Sequence, residues 1–98
     1  MPKLVVFSVT PTEYTLKEGS TSIGRSEANE IVLNDASVSK RHAIITYQQM
    51  KNGESKVQIA DLHSTNGTII NGGKISYHTL EDSDQLSLGN IQCAYLSE

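Results

Sequence analysis

The chain is divided into short β-rich runs, and this division limits the folds open to it. Gly, Asn, Asp, Ser and Pro interrupt the apolar residues every few positions. Runs of this length suit strands, because a helical pattern needs about 10 residues or more of 3.6-residue periodicity. The one stretch with some helical spacing, residues 27–33, is too short for a helix. The sequence therefore predicts an all-β chain.

Turn residues set the expected strand boundaries. The long run 43–49 and the alternating run 56–61 flank Asn52-Gly53, a strong signal for a β-hairpin. Gly89-Asn90 lies between two further runs and predicts a second hairpin. Roughly ten short strands with turns at this frequency are typical of an antiparallel β-sandwich. The expected strands are 4–9, 13–16, 21–24, 31–33, 43–49, 56–61, 68–70, 75–80, 85–88 and 91–96.

Size and charge narrow the class of protein. A chain of 98 residues is expected to form a single domain, residues 1–98. Eight basic against eleven acidic residues give a net charge of -3, which argues against nucleic-acid binding. The lone Cys93 excludes an internal disulfide and favours a reducing, cytoplasmic location. No apolar stretch approaches the roughly 18 residues of a membrane span, so no membrane partner is expected.

The residues that could support catalysis or bind a metal lie in patterns that argue against both. Cys93 alternates with apolar neighbours as a core side chain does. The three histidines lack the spacing of zinc ligands. The acidic residues 81–84 are typical of a solvated turn, and residues 67–74 do not match the register of a nucleotide phosphate loop. We expect no enzyme activity, metal or cofactor.

Polar residues concentrate instead in turns at the ends of the expected strands. They bring hydroxyls, amides and a guanidinium, the donors that suit an anion with about −1.5 to −2 charge such as a phosphorylated side chain. Arg25 follows Gly24, which we expect to allow a sharp turn that directs the guanidinium outward. The segments are Gly24-Arg25, Ser39-Lys40-Arg41-His42, residues 61–68, Asn71-Gly72 and residues 86–89.

The segment before the longest strand combines a hydroxyl with two cations. Ser39 could donate to a phosphate oxygen, and Lys40 could add a positive charge. Adjacent residues in an extended segment point to opposite sides, so we assign Lys40 to the ligand and leave Arg41 open. His42 leads directly into an apolar run. We interpret it as a buried neutral histidine with a structural role.

Residues 63–68 form the most specific segment. Ser, Thr and Asn side chains bond to nearby backbone and stiffen a turn, and Gly67 permits a positive φ. Thr65 could offer a hydroxyl or an amide to a phosphate. Asn66 carries both a donor and an acceptor, so it could hold the main chain of an extended peptide.

Taken in order, these segments resemble the forkhead-associated (FHA) domain across essentially the whole chain. The family resemblance implies an FHA/SMAD-like β-sandwich of about eleven strands that binds phosphothreonine peptides. It implies phosphate contacts from Arg25, Ser39, Lys40 and Thr65, and a peptide-backbone contact from Asn66. Gly24, His42, Gly67, Asn71 and Gly72 would support the site.

Two positions depart from the family pattern. Lys40 stands where arginine or asparagine is common, which changes the contact geometry but keeps a donor. His63 replaces a glycine or other small residue, and it could narrow the groove or add a cation below about pH 6.5.

The resemblance predicts a protein-interaction module that acts after a Ser/Thr kinase and binds a phosphothreonine-containing partner. The alternative is a phosphate-independent scaffold or secretion-system interaction module on the same fold. The sequence does not identify the partner, the kinase, the preferred flanking residues or the oligomeric state.

Overall fold

The computed structural model describes residues 1–97 and contains eleven strands in two packed sheets. No α-helix forms within that range, as the lack of helical periodicity predicts. The strands are β1 (Lys3–Phe7), β2 (Thr12–Thr15), β3 (Gly19–Gly24), β4 (Ile31–Val32), β5 (Ala43–Gln49), β6 (Ser55–Asp61), β7 (Thr68–Ile70), β8 (Gly73–Ile75), β9 (Tyr77–Thr79), β10 (Gln85–Leu88) and β11 (Ile91–Leu96).

The eleven strands are divided between the two sheets, and several strands that are consecutive in sequence lie in different sheets. The first sheet has the order β2-β1-β11-β10-β7-β8, and the second has the order β4-β3-β5-β6-β9. All pairs are antiparallel except β3 and β4, which run parallel over two residues. The predicted antiparallel sandwich is confirmed, with this one short parallel pair as the exception.

The core lies between the sheets and follows the period-two pattern of the strands. On β1, Leu4 and Val6 are buried, and on β5 and β6 the same alternation buries Ile45 and Ile59. Each large aliphatic side chain removed from water stabilises the fold by about 1.5–3 kcal/mol. Cys93 is 1% exposed in this core, and burial raises the pKa of its thiol to about 12. It is therefore a packing residue.

Several strand ends differ from expectation by one or two residues, and two differences are more informative. The run 4–9 ends as a strand at Phe7, and Val9 is fully exposed beside the break at Pro11. The run 75–80 is two strands, because the chain changes sheets at Ser76, whose carbonyl accepts from the Asp61 N–H at 2.9 Å. Strand β8 pairs with β7, and β9 pairs with β6. Sequence alternation alone does not show which sheet a strand joins.

One end of the sandwich collects four of the connections. The Arg25 N–H bonds the Ser39 carbonyl, the Leu62 N–H bonds the His42 carbonyl, and the Gly89 N–H bonds the Gly67 carbonyl. The predicted β5–β6 hairpin is confirmed and turns at the opposite end. Among residues 1–97, no helix is long and apolar enough to cross a membrane.

The Asp84 carboxylate joins three separate segments. It is 8% exposed and accepts hydrogen bonds from Asn71 Nδ2 at 2.9 Å, the Glu81 N–H at 2.9 Å and His78 Nε2 at 3.2 Å. Burial opposes ionisation, but these hydrogen bonds outweigh it and hold the pKa of Asp84 below its usual value. The ionised carboxylate therefore stabilises the fold.

We predict that Asp84→Asn lowers the free energy of unfolding by about 1–3 kcal/mol near neutral pH, because an amide cannot accept all three of these hydrogen bonds and brings two donors of its own to a buried position. A carboxyl with a lowered folded pKa stabilises fully above its unfolded value of 3.8. That stability is lost as the pH falls through the lower, folded value. Urea unfolding should therefore show a shallower loss of stability below about pH 4 in the variant than in the wild type.

The matched control for this prediction is Glu54→Gln, an exposed position in the β5–β6 turn. It should change neither the stability nor its dependence on pH. An Asp84→Asn variant that is as stable as this control would contradict the stabilising role of the carboxylate.

Candidate functional site

The Arg25 side chain is anchored at its inner end and open at its outer end. Its backbone N–H bonds the Ser39 carbonyl at 3.0 Å, and its Nε donates to the Val38 carbonyl at 3.0 Å. Within residues 1–97, the two Nη groups have no acceptor and no carboxylate within ion-pair distance. The guanidinium fork is thus held in place with its outer donors available to an anion.

Gly24 supports Arg25 for a different reason from the expected sharp turn. Its backbone does not enter the left-handed region, but the chain passes very close to the segment before β5. A Cβ atom at this position would overlap the Lys40 carbonyl oxygen and lie 2.7 Å from Asn29 Nδ2. A glycine is needed because two backbones approach closely here.

Ser39 and Thr65, which are 26 residues apart in sequence, are in direct contact. The Thr65 N–H donates to Ser39 Oγ at 2.9 Å. The Ser39 oxygen is therefore an acceptor toward the protein, and its own proton is left to donate outward. The Thr65 amide is already engaged, so only the Thr65 hydroxyl can be offered to a ligand.

His42 is completely buried and joins the two loops that carry these hydroxyls. Its Nδ1 accepts from the Ser39 N–H at 3.1 Å, and its Nε2 lies 2.9 Å from the Gly67 carbonyl. Because Nδ1 accepts, Nε2 carries the proton and donates to Gly67. The imidazole is thus the neutral tautomer in a structural position, with Asp61 Oδ1 4.0 Å from Nε2.

The Asp61 carboxylate shapes the turn that presents Thr65. It accepts from the Ser64 N–H at 3.0 Å, from the Ser64 hydroxyl and from Thr68 Oγ1 at 2.8 Å. The Gly67 N–H in turn bonds Ser64 Oγ at 3.0 Å. Burial opposes ionisation of Asp61, but these hydrogen bonds outweigh it and hold the pKa of its carboxyl below the usual value.

Two residues of this turn have a left-handed backbone. Gly67 has a φ of +85°, as its expected role requires, and the side chain of Lys74 packs over it. His63 has a φ of 58°, a conformation that a residue with a side chain adopts less readily. This explains why a glycine or other small residue is common at the position of His63.

Asn66 is tied to a third loop through Ser37. Its Nδ2 donates to the Ser37 carbonyl at 2.7 Å, and Ser37 Oγ accepts from the Asn90 N–H at 2.8 Å. Ser37 is itself held by the Asp35 carboxylate. One Asn66 N–H and its Oδ1 stay available, which are the groups that a peptide main chain can bond.

Lys40 is positioned by its main chain. Its carbonyl accepts from Asn29 Nδ2 at 2.7 Å and from the Ser26 N–H at 3.3 Å. The side chains of Lys40 and Arg41 are exposed, and no carboxylate among residues 1–97 pairs with either. Lys40 and Arg41 are therefore unneutralised cations on a chain whose net charge is -3.

The turn at Asn71 and Gly72 does not join this cluster. Both residues have positive φ, so the turn forms, but it lies at the far end of β7 from Gly67. Asn71 bonds the Asp84 carboxylate and exchanges hydrogen bonds with Gln85. Its contacts stabilise the pairing of β7 with β10. The turn can therefore affect the cluster only indirectly, by holding β7 in place.

Sequence reasoning did not assign roles to Asn29, Ser37 and Asp61, which hold the site loops in place. For Asp61 a local signal exists, since an acidic residue three positions before a serine is a common side-chain-to-backbone turn. The contacts that join Asn29 to Lys40 and Ser37 to Asn66 span 11 and 29 residues, so no local pattern indicates this role. Within residues 1–97, no group of His, Cys, Asp and Glu could hold a metal ion.

Comparison with known proteins identifies the family. The FHA domain family model matches residues 21–89, so the chain belongs to the FHA domain family. The FHA domain-containing protein FhaA of Mycobacterium tuberculosis is 39% identical over 79 residues, which cover 81% of this chain and 14% of FhaA. The chain thus spans a small fraction of that relative's length.

Two solved structures share the fold. One, from a structural and functional analysis of phosphothreonine-dependent FHA domain interactions, has a TM-score of 0.90 at 31% identity and covers 99% of this chain and 96% of that one. The other is the FhaA FHA domain complexed with the intracellular domain of Rv3910. It has a TM-score of 0.88 at 32% identity, and the match covers 97% of this chain and 99% of that one. These likenesses confirm the family assigned from the sequence.

We predict that Gly24→Ala destabilises the protein by about 1–3 kcal/mol, because the added methyl group forces the Lys40 segment away from β3. Gly73→Ala is the matched control, since a Cβ atom there would meet its nearest neighbour at an ordinary 3.7 Å. Urea unfolding of both variants measures the difference. Equal stabilities would contradict the close approach at Gly24.

Proposed function

We propose that the chain is a non-catalytic module that binds a phosphothreonine in an extended partner segment, phosphorylated by an upstream Ser/Thr kinase. The observation that carries this is the contact between Ser39 Oγ and the Thr65 N–H. It leaves the Ser39 proton, the Thr65 hydroxyl and the Arg25 fork as outward donors in one place. A dianionic phosphate needs such a set of convergent donors.

Each expected contact residue then takes a defined role. Arg25 would bond two phosphate oxygens, Ser39 and Thr65 would donate their hydroxyl protons, and Lys40 would add charge. Asn66 would hold the peptide main chain through its free Oδ1 and N–H. The relatives support this role, because one solved neighbour concerns phosphothreonine-dependent interactions and another is a complex with a partner protein domain.

Absence of catalysis is part of the proposal. The buried Cys93 has a raised pKa and lies in the core, so it offers no nucleophile to a substrate. The partly buried carboxylates of Asp61 and Asp84, whose pKa values are lowered, are occupied by structural hydrogen bonds. We further propose that residues 1–98 act as one domain in the cytoplasm, where kinase-dependent signalling would supply the ligand.

We predict that Arg25→Ala weakens phosphopeptide binding about ten- to hundredfold, the equivalent of about 1.5–3 kcal/mol for a charge-assisted hydrogen bond. The ligand is the best peptide from a degenerate phosphothreonine library, measured beside its unphosphorylated form by fluorescence anisotropy. Lys56→Ala, which removes an exposed cation near the β5–β6 turn, is the matched control and should bind as the wild type does.

Equal binding of phosphorylated and unphosphorylated peptides would overturn the proposal and favour a phosphate-independent scaffold. Unchanged affinity in a folded Arg25→Ala protein would do the same. Because Arg25 also bonds the Val38 carbonyl, circular dichroism should confirm that the variant is folded at the assay temperature.

We also predict that affinity falls as salt is added and as the pH drops below about 6. Salt screens the exposed cations, and acid removes the second phosphate charge. The titration should be repeated with His63→Asn, so that a loss of affinity in acid can be assigned to the phosphate and not to His63. Asparagine suits the left-handed backbone at this position and carries no charge. Affinity that does not vary with salt would contradict an electrostatic site.

A further inference from the structure

A cleft lined by hydrogen-bond donors lies beside the phosphate-binding cluster. Its volume is about 430 Å³. Ser22 belongs to β3 and alternates with buried residues, so the cleft opens on the outer face of the second sheet. No carboxylate lines it. The lining residues are Ser22, Ser26, Ala28, Asn29, Lys40 and Arg41.

Both hydroxyls of the cleft are held by backbone groups. Ser26 Oγ accepts from the Ala28 N–H at 3.2 Å, and Ser22 Oγ accepts from the Glu30 N–H at 3.1 Å. Neither hydroxyl proton has an acceptor within residues 1–97. The arrangement repeats that of Ser39, where an oxygen fixed by a backbone N–H keeps its proton for a ligand.

The walls of the cleft are rigidly connected. Asn29 is buried, and its Nδ2 bonds the Ser26 carbonyl at 2.9 Å and the Lys40 carbonyl at 2.7 Å. The Ser26 N–H adds a bond to the Lys40 carbonyl. These bonds join the loop after β3 to the segment before β5. The cleft is therefore preformed, and little ordering is needed when a ligand binds.

The charged side chains among the residues that line the cleft, Lys40 and Arg41, are both cations. Lys40 and Arg41 have no carboxylate partner in the described part of the chain. Glu30, which lies near, is paired with Lys17. Glu27 is exposed and does not line the cleft. A preformed pocket with hydroxyl and cationic donors and no acidic wall suits an oxyanion.

We propose that this cleft is a second anion subsite, which binds an acidic or phosphorylated side chain near the phosphothreonine in the same partner segment. The inference rests on the proposed function, because Lys40, which lines the cleft, is also one of the proposed phosphate contacts. An extended segment advances about 3.3 Å per residue, so the second anion lies within a few positions of the phosphothreonine. This assigns Arg41, which the sequence left open, to selectivity.

The position of Asn66 sets the side on which this anion lies. Asn66 bonds Ser37, which is tied to Asn90 in the turn between β10 and β11 of the first sheet. The cleft belongs to the second sheet. The second anion therefore lies on the opposite side of the phosphothreonine from the peptide group held by Asn66.

The test is a glutamate scan along an alanine-flanked phosphothreonine peptide, with dissociation constants measured for wild type, Arg41→Ala and the control Lys56→Ala. Glutamate should raise wild-type affinity about two- to fivefold at positions on one side of the phosphothreonine, the range for a surface ion pair. Arg41→Ala should abolish this gain and leave affinity for the alanine-flanked peptide within about twofold, whereas Lys56→Ala should keep the gain.

A scan without any gain, or a gain that survives Arg41→Ala, would overturn the subsite. Binding of the alanine-flanked peptide that depends on phosphate and on Arg25 tests the proposed function separately, and its absence would overturn both.

Phosphoserine in place of the best glutamate distinguishes the two sources of the anion: a larger gain favours a second phosphate, and a smaller gain favours a carboxylate. Amide NMR signals of Ser22 and Ser26 should shift more with the glutamate peptide than with the alanine peptide, and equal shifts would contradict the assignment.

Discussion

The buried imidazole of His42 connects the two loops on which the binding end depends. It accepts from the Ser39 N–H and donates to the Gly67 carbonyl, 25 residues further along the chain. Only the neutral form can do both, because a protonated imidazole has no acceptor. The distance between Ser39 and Thr65 therefore depends on a side chain that a ligand never reaches.

Three hydroxyls near this end of the sandwich are oriented by the backbone. Ser39, Ser22 and Ser26 each accept a backbone N–H, and their protons have no acceptor within residues 1–97. Short side chains held in this way lose little conformational freedom on binding, whereas Lys40 and Arg41 supply charge through flexible chains. Geometry and charge thus come from different residues. In the proposed sites, this separation would let a chain of net charge -3 bind an anion locally.

Two ionised carboxylates stabilise the two ends of the sandwich in similar ways. Asp61 holds the turn that carries Thr65, and Asp84 holds the turn at Asn71 together with the start of β10. In both, hydrogen bonds outweigh burial and favour the charged form. Strand β7 lies between them, so the support given by Asn71 acts on strand pairing and only indirectly on the ligand end.

The sequence by itself determined the β-class, the hairpin at Asn52-Gly53 and the residue types of the binding loops, because alternation and turn chemistry act over a few residues. It also indicated that His42 precedes an apolar strand. Only the tertiary structure decided that residues 75–80 divide between two sheets, and that the Thr65 amide is engaged by Ser39. It likewise decided that position 24 needs a glycine because the backbone there lies very close to the Lys40 carbonyl. These outcomes depend on which distant segments pack together, and packing is set by the whole core.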